Sequence, residues 1–446
     1  MSDRQPATRS ADARQDVGQP DLGRRTFRIA FAATIAAAGV LRVAYVLGAK
    51  RGEDVVGDQL HYFAQAATIA DGRWFENPWV PGTPSALHAP FTALALAPVS
   101  WVNDNLIFTQ RLTMAVYGTV VVAGVGLLAR VLFTRWVALV AAVIAAVYAN
   151  LWMNDGLIMS ETFAAGGVVA VLLAVYAYES RVDRISAVAI GLAIGLAGLA
   201  RAELLLLGLV VVVPLTLLQK DRSWGSRLGH LAIAGGAALM VVSPWVIRNQ
   251  VRFDEPTIMS TQDGLTLLGS NCPETYSGSG LGFWAIACAE RADVKVPEGA
   301  DESVRSSVYR GEAVEFIRGN IDRVPLVVVA RLGRGLSLWE TEQMISFNQL
   351  EGRERWASRI GLWQYWILVP LAGYGLWVWP SQRPRWPLVV TASISILMMA
   401  AFYGIPRFRI PAEIGIVICA SVGLVTLVQR LLDRATPECS ETETPT

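Results

Sequence analysis

Asp58 lies just past the first long apolar stretch, in Gly57-Asp58-Gln59-Leu60-His61-Tyr62, and offers the first carboxylate placed for acid–base work. An amphipathic helix over Gln59 to Asp71 would set Asp58, His61, Tyr62 and Gln65 on one face by i, i+3, i+4, i+7 spacing. His88-Ala89-Pro90 follows about thirty residues later. A second carboxylate, Glu161, comes after Asn154, Asp155 and Ser160, within an apolar phase where an ionisable group is a functional candidate by default. Arginines accompany them: Arg42, Arg201 beside Glu203, Arg248 after Pro244-Trp245, and Arg407 and Arg409 on either side of Phe408. A positioned carboxylate can deprotonate a hydroxyl. Planar guanidinium groups match the oxygens of a phosphate. Together they point to proton removal beside an anionic headgroup.

Each residue also has a plainer role. Asp is favoured as a helix N-cap, so Asp58 is balanced between cap and catalytic group. Glu161 at a helix N-terminus is favoured by the helix dipole. Arg201 and Glu203 read as an ion pair at least as readily as a ligand contact. Arg42, near the outer end of its stretch, can snorkel. Glu413 stands one helical turn from Arg409 and can pair with it.

These residues sit on a chain that is 53% hydrophobic and 17% charged, with mean hydropathy +0.41. Soluble domains average about 25% charged, so the composition is that of a polytopic membrane protein. A net charge of +1 gives no reason to expect nucleic acid. With three lysines among 38 basic residues, the arginine bias fits a bacterial cell membrane. No Walker loop, nucleotide-binding glycine loop or His/Cys metal spacing is present.

Taking about 20 apolar residues per span, or about 17 at the short end, ten spans are read. They fall near 27–48, 106–129, 136–153, 158–178, 185–200, 203–219, 228–247, 360–379, 387–404 and 411–429. The stretch 89–102, with Pro90 and Pro98, reads as re-entrant or interfacial. Basic clusters at Arg24/Arg25/Arg28, Arg130/Arg135, Arg181/Arg184, Lys220/Arg222/Arg227, Arg383/Arg385 and Arg430/Arg434 then all face one side. By the positive-inside rule that side is cytoplasmic, with both termini there. The expected class is all-α. It divides into a disordered tail (1–26), a core of spans one to seven (27–247) with outer loop 49–105, an extracytoplasmic region (248–359), C-terminal helices (360–430) and a second tail (431–446). A helix lying in the interface is expected between Val304 and Leu338. Cys272 and Cys288 fall in the outer region, where a disulfide can form. Closing a loop of about 15 residues is worth about 3 kcal/mol by chain entropy.

The series of motifs resembles a known family. It comprises an aspartate after span one, His-x-Pro before span two, an outer glutamate at span four, Pro244-Trp245-x-x-Arg248-Asn249, and Arg407-Phe408-Arg409-x-Pro411. It is similar to the GT-C superfamily of integral membrane glycosyltransferases, in the dolichyl-phosphate-mannose–protein mannosyltransferase-like and aminoarabinose-transferase-like branch, over residues 27 to about 430. The resemblance implies a polyprenyl-phosphate-linked sugar donor, a hydroxyl acceptor (protein, lipid or envelope glycan) and inverting transfer on the extracytoplasmic face. It makes Asp58 the general base and Glu161 a substrate-orienting group. Arg248, Arg407 and Arg409 become phosphate ligands, with Arg201 and Arg42 as weaker candidates. His61 and His88 line the site, although Ala89 replaces the first proline of the usual His-Pro-Pro. Relatives differ in using a divalent cation, Mg or Mn; no Asp-x-Asp pair occurs here, so no tightly bound metal is expected. The rival reading is a transporter or lipid flippase without transferase activity. Such proteins tend to carry inverted repeats and mid-membrane polar residues, and neither feature is visible.

Overall fold

The computed structural model describes residues 21–102 and 106–435. Most of the two terminal tails lies outside that range, as does Cys439. Residues 24–26, expected in the tail, already belong to the first helix, and the last helix continues to Ala435. Among the described residues the structure is helical, with one isolated bridge between Glu76 and Pro84.

Each stretch read as a span is helical. They are α1 (Arg24–Tyr45, continued by a π turn to Lys50), α3 (Leu106–Leu132), α4 (Arg135–Val147), α5 (Glu161–Arg181), α6 (Arg184–Ala200), α7 (Ala202–Leu217) and α8 (Trp224–Arg252), then α13 (Arg355–Val378), α14 (Trp386–Ala401) and α15 (Ile410–Ala435). Among the described residues five helices are long and apolar enough to cross a membrane, and six if α4 and the bent segment Ala149–Gly156 are one span. α6, α7 and α14 are shorter apolar helices. The protein is a multi-pass membrane protein. Phe91–Trp101 is short and turns from α-helix to a 3-10 turn at Ala97-Pro98, in keeping with its being no full span.

α2 (Asp58–Ala70) follows a left-handed Gly57 at φ 57°. Segment 248–359, expected outside the membrane and called the outer region for that expectation, holds α9 (Gln262–Ser270), α10 (Glu302–Gly319), α11 (Val324–Gly335) and α12 (Thr341–Leu350). The expected Val304–Leu338 helix is therefore two helices. The first ends at Gly319-Asn320, and Pro325 stands in the first turn of the second, where its missing N–H costs no helical bond. A Cys272–Cys288 disulfide closes this region beside α9. Arg331 fastens it to the membrane helices by donating to the carbonyls of Ser270, Ala400 and Ala401.

The main apolar core lies among α3, α4, α5, α6 and α15. α13 packs closely along α15, where a Cβ on Gly375 would collide with the Cys419 carbonyl and one on Gly423 with that of Leu371. Small residues permit such backbone approach where the hydrophobic effect between helices is weak. This scaffold brings the ends of α5, α6 and α15 together beneath α2 and α12.

Candidate functional site

Asp58 opens α2 but does not cap it: Gly57 occupies the N-cap and no side-chain cap bond forms. Its carboxylate instead reaches across 349 residues of sequence to Arg407, accepting from both terminal nitrogens at 3.1 Å. Arg407 sits on the 3-10 turn Pro406–Arg409 that precedes α15. Its Nε lies 2.6 Å from Glu161 Oε1 at the start of α5, and Nη1 donates to Glu351 Oε1 at 2.5 Å. Glu161 is almost wholly buried, and the same oxygen meets Arg201 at 3.3 Å and Arg353 at 3.8 Å. Three guanidinium groups thus converge on one carboxylate oxygen. The other oxygen, Oε2, has no hydrogen-bond partner among the described residues.

Arg201 also donates to Glu203 at 2.6 Å, so the expected pair exists, yet Arg201 faces the site as well. His88 Nε2 lies 3.7 Å from Asp58 Oδ1. The His88 ring stacks on Tyr62 at 4.6 Å and meets the edge of His61 at 5.1 Å. The helix face drawn from spacing is therefore real, with His61 behind His88 and Gln65 donating to the Glu76 carbonyl. Burial opposes ionisation of Asp58, but the guanidinium charges facing it, Arg407 ahead of Arg201, hold the carboxyl down at about 2. Burial lowers both histidines, His61 to about 3, although Asp58 pulls each of them upward.

Asp58, Tyr62, His88, Arg201, Glu203, Glu351 and Arg407 border a cavity of about 480 Å³, with Glu161 buried behind them. Leu206, Met398, Phe402 and Phe408 make an apolar side next to α7 and α14. Ser260, Gln262, Asp263 and Thr266 make a polar side on the outer region, and Trp284 and Tyr403 complete the wall. A cavity with one greasy and one polar flank and a charged floor can hold an amphiphile with its anionic junction at the arginines.

The other sequence candidates lie elsewhere. Arg409 is buried and bound to Glu413 at 3.0 Å, Ser337 Oγ at 2.6 Å and the Gly335 carbonyl, with its guanidinium 3.8 Å from the Tyr365 ring centroid. A 3-10 turn advances three residues per revolution, so side chains two residues apart diverge. Arg407 and Arg409 point to different places for that reason. Arg248 donates to the carbonyls of Ser85 and Phe75 and packs on Trp245, outside the cavity. Arg42 does not snorkel: it is buried against Asp155 at 2.7 Å.

Sequence reading missed Glu351 and Arg353. They flank Gly352, which adopts φ 90° in the turn between α12 and α13. Gln59 donates to the Glu351 carbonyl at 2.9 Å, and Lys50 donates to the Gly352 carbonyl at 2.7 Å and to Glu354 at 2.6 Å. Arg353 donates to Asn154 Oδ1 at 2.9 Å and to Glu351 Oε2. Three charged residues around a glycine, Glu351-Gly352-Arg353-Glu354, were the available signal.

The donor set fits a divalent cation poorly, because arginines already neutralise Asp58, Glu161 and Glu351. Among the described residues the one cluster of three ligand-type side chains is Cys272, Glu274 and Cys288, whose two sulfurs are joined to each other.

Residues 87–247 match the sequence profile of the dolichyl-phosphate-mannose-protein mannosyltransferase family. Among solved structures, the archaeal oligosaccharyltransferase AglB from Archaeoglobus fulgidus, in complex with an inhibitory peptide and a dolichol-phosphate, aligns over 92% of this chain and 52% of its own, at 15% identity and TM-score 0.52. The same organism's oligosaccharyltransferase tethered to an acceptor peptide aligns over 92% and 51%, at 14% identity and TM-score 0.51. ArnT from Cupriavidus metallidurans bound to undecaprenyl phosphate aligns over 93% and 82%, at 15% identity and TM-score 0.42. The chain spans about half the length of the archaeal oligosaccharyltransferases it matches. No curated protein sequence matches it. The fold is that of the GT-C membrane glycosyltransferases.

Proposed function

We propose that this protein is a glycosyltransferase that moves a monosaccharide from a polyprenyl-phosphate-linked donor to an acceptor hydroxyl, with inversion, on the extracytoplasmic face of a bacterial membrane. The observation that carries the reading is the meeting of Asp58 and Arg407 at the junction of an apolar and a polar cavity wall. In the proposed reaction the acceptor oxygen attacks the sugar C1 while its proton passes to Asp58. The C1–O bond to phosphate breaks, and the phosphate leaves with the electron pair. Charge grows on the phosphate as that bond breaks, and preorganised guanidinium groups in a water-poor site stabilise it. Arg407 is assigned that task, with Arg201 beside it. Glu161, which meets Arg201, Arg353 and Arg407 through one oxygen, orients these arginines. His88 and His61, held neutral by burial, line the Asp58 side of the site without adding charge.

The apolar side, from Leu206 to Phe402, would take the start of the prenyl chain, and the polar side, on α9, would take sugar and acceptor. Arg248 and Arg409 are read here as structural, since each is already satisfied by protein groups. The outer region 248–359, tied by the disulfide, supplies the acceptor wall. The test is to incubate purified protein with a panel of polyprenyl-phosphate sugars and candidate hydroxyl acceptors, and to measure free polyprenyl phosphate. Release that depends on both one sugar donor and an acceptor is expected. No release above a protein-free control with any donor would remove the reading.

A further inference from the structure

Seven charged side chains are linked at the cavity floor and directly behind it: Asp58, Glu161, Glu203 and Glu351 against Arg201, Arg353 and Arg407, one more negative than positive, with Glu161 and Arg353 in the buried layer. A site in this condition repels a phosphate. An anionic ligand can enter only if a carboxylate gives up its arginine. Glu161 cannot do so, being buried at the centre of all three guanidinium groups. Asp58 is needed as the base, and Glu203 touches Arg201 alone among these arginines. Glu351 is different. One of its oxygens binds Arg407 and the other binds Arg353, as two oxygens of one phosphate would.

We infer that Arg353 and Arg407 form a phosphate-binding pair, and that the Glu351 carboxylate occupies this pair until a lipid-linked phosphate displaces it. The inference rests on the proposed transferase reading for the identity of the lipid, while the anion site stands on its own geometry. The backbone of the turn between α12 and α13, a strap across the cluster, supports it. Gln59 and Lys50 fix the carbonyls of Glu351 and Gly352, and Asn154 fixes Arg353 Nε. The Glu351 carboxylate can therefore swing without moving the strap, and Arg353 stays aimed at the floor. Its guanidinium is almost fully buried, so that losing Glu351 without replacement would leave a charge poorly paired. Exchange for phosphate keeps it paired. Specificity follows from the same feature: a neutral lipid cannot replace the carboxylate, whereas a phosphate with two free oxygens can.

The test measures equilibrium binding of undecaprenyl phosphate and, separately, of inorganic phosphate to the purified full-length protein, for wild type, Glu351→Gln and Arg353→Lys. Phosphatidylcholine micelles serve as the lipid blank. If the freed pair is populated about one time in ten in the resting protein, Glu351→Gln tightens the apparent Kd about tenfold. Arg353→Lys weakens it, because the ammonium lacks the planar fork. Glu351→Asp, whose shorter side chain cannot span both arginines, should shift binding in the same direction as Gln and covers the case of a poorly folding Gln variant. Unchanged or weaker binding in both Glu351 variants would overturn the inference, as would a raised acceptor KM with unaltered phosphate binding. Tighter inorganic phosphate without any undecaprenyl phosphate binding would keep the anion site and sink the lipid-donor reading. Failure of both phosphates to bind any variant would sink the two together.

Discussion

Only Phe408 separates Arg407 from Arg409, yet Arg407 divides its guanidinium among Asp58, Glu161 and Glu351 at the edge of a cavity, while Arg409 is sealed between α15 and the outer region. Arg409 has one acid, one hydroxyl, one carbonyl and an aromatic face, and among the described residues neither it nor Glu413 holds a buried polar side-chain atom without a partner. Around Arg407 the acids outnumber the arginines, and a buried oxygen of Glu161 lacks a partner. A saturated buried pair stabilises one arrangement of helices. A crowded, shared cluster beside a cavity has somewhere for a ligand to enter. The same contrast separates Arg42, paired with Asp155 alone among the acids, from Arg201, which serves two carboxylates.

The largest effect should come from the cavity side. Asp58→Asn is expected to preserve folding and reduce sugar transfer about 10²–10⁴-fold, the usual cost of losing a general base. Turnover at the wild-type rate by a folded variant would take Asp58 out of the mechanism. On the sealed side, Arg409→Ala strands Glu413 in the interior, and breaking a buried pair typically costs about 3–5 kcal/mol. Thermal unfolding in detergent should show a large loss for Arg409→Ala, with a smaller one for Glu413→Gln. An Arg409→Ala protein as stable as wild type would erase the distinction between the two arginines.

Some of this was legible in the chain. Arg409 and Glu413 are one helical turn apart, so their pairing follows from spacing. Asp58, His61 and Tyr62 share a face for the same reason. The meeting of Asp58 with Arg407 required the resemblance of motif order, since no local rule links residues 349 positions apart. Arg248 was harder to place, because its partners are backbone carbonyls, and a carbonyl leaves no mark in the sequence. Glu351 and Arg353 lie in a turn without periodicity, where position depends on Gln59, Lys50 and Asn154 from distant segments. The spans were visible through hydropathy. The break at Asn320 was hidden by an apolar and charged alternation that continues across it.

A more gradual effect concerns acid. Burial holds His61 down to about 3 from an ordinary 6.5, against the pull of Asp58, with His88 also facing it. The unfolded chain takes up that proton first, so His61 leaves stability intact above about pH 6.5 and subtracts from it as pH falls, until the folded imidazole itself titrates near 3. Each pH unit in that window costs about 1.4 kcal/mol. His61→Gln should flatten the acid side of a stability–pH curve measured by thermal unfolding. Curves of equal slope for variant and wild type would show that His61 is not held neutral.

The most direct measurement sets Arg407→Lys beside Arg409→Lys in steady-state titrations of donor and acceptor, with unfolding temperature recorded for each. Both substitutions keep the charge and lose the planar fork. For Arg407→Lys the expected result is a raised donor KM or a lowered kcat, little change in acceptor KM and near-normal stability. For Arg409→Lys the expected result is a lowered unfolding temperature with donor KM retained. Normal donor kinetics in Arg407→Lys, with the donor defect appearing in Arg409→Lys instead, would contradict the placement of the phosphate at the Asp58–Arg407 cavity.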